Sequence, residues 1–276
     1  MAIPPARFRE LIAAVCEERY LPEDAAQYGE IEDWDVSEIE DFSQIFRDRT
    51  TFNRDISRWN TSRATTMRGA FRNAGSFDQP VGNWDTGRVT DMATMFMDAR
   101  SFNQPLDTWN TSQVTNTWGM FLNAARFNQP LGNWDTGRVT NMYAMFAVTP
   151  FFNQPLGGWN VGQVTDMCAM FYRAASFNQP LEAWDVSQVT TLRRMFMNAL
   201  TFNQSLTRWN VSRVTDLREM FADAQSFHHE EDLAHWDVSQ VTTSMAGIFA
   251  PSPDATYLET LFSQATTTPR WTGRGR

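Results

Sequence analysis

The chain has 276 residues, 42% of them hydrophobic including 21 phenylalanines, and a net charge of −9. That balance supplies an ample core and argues against a nucleic-acid backbone as partner, because phosphate binding needs a basic surface. All 23 basic residues are arginine, so no lysine can form a Schiff base, and two isolated cysteines, Cys16 and Cys168, make neither a disulfide framework nor a zinc site.

The start, Met1-Ala-Ile-Pro-Pro-Ala-Arg, lacks the apolar core of a secretion signal, and no run of about 18 apolar residues follows, so no membrane insertion is expected. Within residues 5–19, Phe8, Leu11, Ile12, Val15 and Cys16 are spaced three and four apart. That spacing predicts an amphipathic helix, with Pro4 and Pro5 at its start and Pro22 past its end. Residues 1–33 therefore read as a helical cap on whatever follows.

From residue 34 one unit recurs every 25 residues, in the tryptophan register Trp34, Trp59, Trp84, Trp109, Trp134, Trp159, Trp184 and Trp209. Trp236 follows after a two-residue insertion. A fixed period of this size signals a solenoid whose coils cover one another. Positions are counted here from each tryptophan. The fifth is Ile39, Ala64 or a valine, and the eighth, eleventh, twelfth and fifteenth are residues such as Met92, Met95, Phe96 and Ala99. Offsets of zero, three, four and seven predict one face of a two-turn helix, and Thr90 or Asp91, with Thr140/Asn141 and Thr165/Asp166, stand where an N-cap is needed. The other half of the unit, Leu106, Trp109 and Thr111 in one copy, alternates as a short strand would, with Asn110 outward. Phe-Asn-Gln-Pro, at 102–105 and its counterparts, reads as the return turn, with the phenylalanine in the core and stacked Asn and Gln bonding neighbouring turns.

The string Phe-Asn-Gln-Pro-Leu-x-x-Trp-Asp-Thr/Val-Ser-x-Val-Thr-x-Met-x-x-Met-Phe-x-x-Ala resembles the BspA-type leucine-rich-repeat surface proteins, over roughly residues 28–249. The resemblance implies a surface or adhesion role. No cofactor is expected.

The residue after each tryptophan forms an outward polar ladder: Asp35, Asn60, Asp85, Asn110, Asp135, Asn160, Asp185, Asn210 and Asp237. Alternation of acid and amide spaces the charges by about 10 Å, near the Debye length, which suffices as its cause. Calcium along such a row is disfavoured, since the cation needs converging oxygens. His228, His229, Glu230, Glu231, Asp232 and His235 crowd the insertion, but their spacing matches no zinc motif. No metal site is assigned, and no nucleophile or phosphate-loop motif points to an enzyme.

A partner surface is expected at the ninth and thirteenth positions. In the end coils these are polar or charged: Ser43, Arg47, Arg68, Arg72, Arg193 and Arg218. In the middle they become Met97, Trp118, Leu122, Tyr143 and Tyr172, with Met197 extending the stripe. Either the stripe packs between coils, or it binds a partner, since aromatic residues and Met are enriched at interface cores.

The expectation is thus an α/β, right-handed leucine-rich-repeat-like solenoid of about nine coils over 34–249. It has a parallel sheet on one side, short helices on the other, and a capping helix with a loose tail in 250–276. A three-sided parallel β-helix is the alternative architecture. The expected function is a non-enzymatic scaffold for protein–protein interaction, with a carbohydrate-binding adhesin using the polar ladder as the alternative. An ice-binding array of Thr65, Thr90, Thr115, Thr140, Thr165, Thr190 and Thr215 is the weakest reading, because these threonines already have a place near the expected helix starts.

Overall fold

The computed structural model describes residues 1–242 and 247–249. The closing helix expected at 254–264 and the tail at 266–276 lie outside the described residues. Helix α1 spans Pro5–Cys16 and α2 spans Pro22–Tyr28; each has proline in its first turn, where a missing N–H leaves no bond unmade. A 3-10 turn at Ile31–Asp33 leads into Trp34, and a four-residue helix, α3, occupies Glu230–Leu233 in the insertion.

Between Trp34 and α3 the described residues contain neither helix nor strand, which overturns the expected α/β solenoid with its parallel sheet and outer helices. The seven junctions from Asp41↔Thr66, Thr66↔Asp91 and Asp91↔Asn116 onward to Thr191↔Asp216 each carry a single isolated parallel bridge. The rest of each unit is turns. The β-helix alternative is also unmet, for want of strands.

The dihedrals say why. The tenth and fourteenth positions of every unit lie in the left-handed region, from Gln44 (φ 58°) and Asp48 (φ 61°) to Glu219 (φ 59°) and Asp223 (φ 55°). A right-handed helix cannot pass through such residues. Their effect is to turn alternate amides out of the coil. Phe42, Gln44, Phe46 and Asp48 donate to the carbonyls of Thr66, Arg68, Ala70 and Arg72 in the next coil, at 2.8–3.0 Å. The same four rungs recur at later junctions, as when Thr117, Gly119, Phe121 and Asn123 donate to Asn141, Tyr143, Met145 and Ala147. The intervening amides close tight turns three residues back, Ala70 to Met67, Arg72 to Gly69 and Ala74 to Phe71. A chain of such turns brings side chains inward at intervals of three and four, the spacing that reads as a helix. The expected strand around the tryptophan fails for a similar reason: Trp109 donates to Leu106 and Val114 to Thr111, again three residues back.

What packs inside is a set of columns. Phe46, Phe71, Phe96, Phe121, Phe146, Phe171, Phe196 and Phe221 stack with ring centroids 5.4–5.8 Å apart. Each also lies 3.9–4.1 Å from the phenylalanine of its own return turn, as Phe121 does from Phe127. The tryptophans form a third column, and each indole N–H finds a backbone carbonyl of the preceding coil, such as Trp134 to Leu106 at 2.9 Å. A buried indole needs that acceptor, so the tryptophan period and the coil period are tied together.

The return turns are held by a side-chain ladder. The Oδ1 atoms of Asn53, Asp78, Asn103, Asn128, Asn153, Asn178 and Asn203 each accept the backbone N–H of the equivalent residue one coil on, at 2.9–3.0 Å. Gln79, Gln104, Gln154, Gln179 and Gln204 add a second bond to the same oxygens. At the N-terminal end, Phe8 of α1 meets Phe42 and Trp59, and Ile3 donates to Asp35. The Arg9 guanidinium donates to the carbonyls of Ser43 and Asp41, which in every later coil accept from the coil before.

Candidate interaction site

The ninth, tenth and thirteenth positions point away from the phenylalanine columns and build a second apolar cluster, separate from the main core. It gathers Ala93, Met97, Trp118, Leu122, Ala144, Ala147, Cys168, Ala169 and Tyr172, with Tyr143, Val148 and Met197 packed at its margin. All six residues of the expected stripe are therefore brought together. Met97, Leu122, Tyr172 and Trp118 are buried, and Tyr143 and Met197 are half-buried. The Trp118 and Tyr143 rings sit 6.0 Å apart.

The left-handed tenth position makes this possible. In the middle coils it is small, Gly69, Thr94, Gly119, Ala144 and Ala169. A Cβ added to Gly119 would touch Thr94 and Leu122 at 3.5–3.8 Å, so side chains of the preceding coil and of its own already close over it. At the flanks the tenth position is long and polar, Gln44, Arg194 and Glu219, and the apolar cluster stops. Arg194 and Glu219 form an ion pair that is buried on both sides. The smallness of the tenth position was visible in the repeat register; its left-handed backbone was not.

Arginines edge the cluster. The Arg68 guanidinium lies 5.8 Å from the Trp118 ring and that of Arg173 lies 5.4 Å from Tyr172. Burial pushes the Tyr172 hydroxyl up, with Arg173 opposing. It also raises the Asp98 carboxyl, against which the Asn123 amide donates at 2.7 Å, and the Asp166 carboxyl, opposed by the backbone N–H of Cys168.

The polar ladder has a different geometry from the strand face expected of it. Asp35, Asn60, Asp85, Asn110, Asp135, Asn160, Asp185, Asn210 and Asp237 are all exposed. Each uses Oδ1 to accept the backbone N–H two residues on, at 2.9–3.2 Å. Acid and amide make this turn equally well, so either fits. In Asp35 and Asp185 the serine hydroxyl two residues on, then its N–H, holds the carboxyl below its ordinary range. Asx turns of the same kind recur at Asp41, Asp91, Asn116, Asn141, Asp166 and Asp216, where a helix cap was expected.

In the insertion, His229, Glu231 and Asp232 have donor atoms within 4.8 Å of one another. Asp232 is already committed: its Oδ2 accepts from Ser205 Oγ at 2.7 Å and from the Leu206 N–H at 2.9 Å, which fastens the insertion to the preceding coil. Among the described residues, no helix is long and apolar enough to cross a membrane.

Compared with known proteins, the chain matches a family described as Mycoplasma protein of unknown function, DUF285, over residues 19–130, 101–199 and 152–263. The overlapping matches follow from the tandem repeat, and they support a repeat family without showing the BspA type in particular. No curated protein and no solved structure matches. Since the matched segments together run from residue 19 to residue 263, the chain belongs to this DUF285 family of repeat proteins of unknown function.

Proposed function

We propose that the chain is a non-enzymatic scaffold for protein–protein interaction, and that its binding face is the second apolar cluster. The observation that carries this reading is where the units depart from one another. The inward columns are nearly invariant along the stack, whereas the ninth, tenth and thirteenth positions change from Arg, Ser and Gln at the ends to Trp, Tyr, Met and Leu in the middle. Coil stacking needs no aromatic cluster outside the phenylalanine columns, and the end coils do without one. Trp118, Tyr143 and Tyr172 with Arg68 and Arg173 over their rings are the residue types that carry binding energy at interfaces. The likeness of the repeat string to BspA-type surface proteins supports a surface setting.

The test is Trp118→Ser with Tyr143→Ser, compared with Tyr143→Ser and Met197→Ser at the half-buried margin. Each variant is assayed by thermal melting and by quantitative pull-down with partner identification. Loss of a specific partner in the margin variant, at unchanged melting temperature, is the expected result. Association unchanged in both variants, with a large drop in stability for the first, overturns the interface and leaves the cluster as packing. A glycan array run on the same proteins, with the Asp135→Ala variant alongside, decides for the adhesin alternative if binding follows the ladder.

A further inference from the structure

One coil breaks its own rules. At the fourteenth position, where other units place Asp, Asn or Arg, the fifth unit has Val148, a β-branched residue held at φ 57°. At the fifteenth, where every other full unit except the first has alanine, it has Thr149, fully buried, with its hydroxyl turned back onto the Phe146 carbonyl. Pro150 and Phe151 follow, and Phe151 is 62% exposed. A β-branched side chain in the left-handed region is strained, and a bare phenylalanine on a polar surface gains nothing for the fold, so the stack alone does not account for this segment.

The register places the departure beside like residues. Ser176 donates to the Pro150 carbonyl at 3.0 Å and Thr201 to the Ala175 carbonyl at 3.2 Å, which puts Pro150, Ala175 and Leu200 in one column. Leu200 is 38% exposed. Val148 donates to the Tyr172 carbonyl and packs on the second cluster, so the patch is continuous with the face described above. Arg126 stands one coil before Phe151 in its own column, and Arg173 one coil after Val148 in its column. Neither makes an ion pair among the described residues. On a chain of net charge −9, two arginines without acids on either side of an exposed phenylalanine are a local inversion of sign.

Resting on the interaction reading, we infer that Phe151, Leu200 and Val148 with Arg126 and Arg173 form the recognition site for an acidic peptide segment carrying one bulky apolar side chain. The apolar anchor lies against Phe151 and Leu200, and its flanking carboxylates meet the two guanidinium groups. Charge complementarity favours an acidic segment, since the patch presents two guanidinium groups on a chain of net charge −9.

The experiment is selection from a phage-displayed library of random peptides on the full chain, followed by fluorescence polarisation with the selected, labelled peptides. A consensus of Asp or Glu around Phe, Trp or Leu is expected. Binding should fall by about tenfold or more in Phe151→Ser, and likewise in Arg126→Glu with Arg173→Glu, with melting temperatures unchanged because these side chains are exposed. A basic or neutral consensus, no enrichment, or acidic peptides whose binding survives both variants each overturns the inference. Peptides lost only in Tyr143→Ser and Met197→Ser would overturn it while leaving the scaffold reading intact. A dimer of the chain that Phe151→Ser dissolves, seen by sedimentation, would overturn it in favour of a second copy as occupant.

Discussion

Replacing Phe121 by alanine tests whether the stack is held by its phenylalanine columns. The ring is fully buried and touches four others, Phe127 at 4.0 Å, Phe146 at 5.6 Å, Phe96 at 5.8 Å and Trp134 at 6.3 Å. Truncating a buried phenylalanine costs about 3–5 kcal/mol. Aromatic pairs add about 0.5–1.5 kcal/mol each beyond the area they bury, and three of these contacts reach into neighbouring coils, so the upper end, about 5 kcal/mol, is expected. Backbone rungs fix the coil on both sides, which limits collapse into the void. Urea denaturation followed by tryptophan fluorescence measures the loss. Because coils touch mainly their neighbours, the weakened centre should also split the transition in two. The exposed Phe151→Ala is the control, expected within about 0.5 kcal/mol of the parent. A loss below about 1 kcal/mol for Phe121→Ala would refute the column reasoning.

Three other outcomes follow from the ladders and turns. Asn128→Ala leaves the amide of Asn153 and the Nε2 of Gln154 without their shared acceptor and should cost about 1–3 kcal/mol by urea titration, whereas Asn128→Asp should be tolerated, as Asp78 shows in the same rung. Asp98→Asn should raise the melting temperature at neutral pH. Burial raises this carboxyl in the folded chain, so the folded state binds the proton more tightly, and stability is lost as pH rises from the unfolded to the folded pKa. The advantage of the amide should therefore disappear below the ordinary carboxylate range, and an advantage that persists there would sink the argument. Val148→Asn, which installs the residue found at Asn73, Asn123 and Asn198, should stabilise by about 1 kcal/mol by relieving the left-handed valine, read in the same urea assay.

How far the sequence discloses this molecule depends on which interactions repeat in it. The columns were legible: the tryptophan and phenylalanine registers, and the asparagine at the head of each return turn, stand where the period puts them. The six residues of the apolar stripe were legible as neighbours too. The backbone was not. Inward residues at intervals of three and four arise from an α-helix or from successive tight turns, and Met92, Met95, Phe96 and Ala99 fit both. The difference lies in Thr94, Ala144 and Ala169, ordinary residues forced to positive φ by the rungs to the next coil, and no local preference announces that. Glycine at 69 and 119 and Asn or Asp at 73, 98 and 123 were the available hint. The Asx turns hid behind the same ambiguity, since an Asp that caps a helix and one that caps a turn are written alike.

The rungs of this stack all but agree in direction. From the Asp41–Thr66 junction to the Thr191–Asp216 junction four carbonyls of the later coil face four N–H groups of the earlier one, while the threonine rung, such as Thr90 to Thr65, and the return-turn rung, such as Ser176 to Pro150, run the other way. Peptide dipoles aligned in this manner add along the axis, as they do in an α-helix, but with the opposite sense: here the first coil, not the last, is the negative pole. Arg9 sits at that pole, its cation against the open carbonyls of Ser43 and Asp41. The first coil's outward carbonyls are therefore met by a cation carried on the chain's own leading helix, which seals the negative pole of the stack from within.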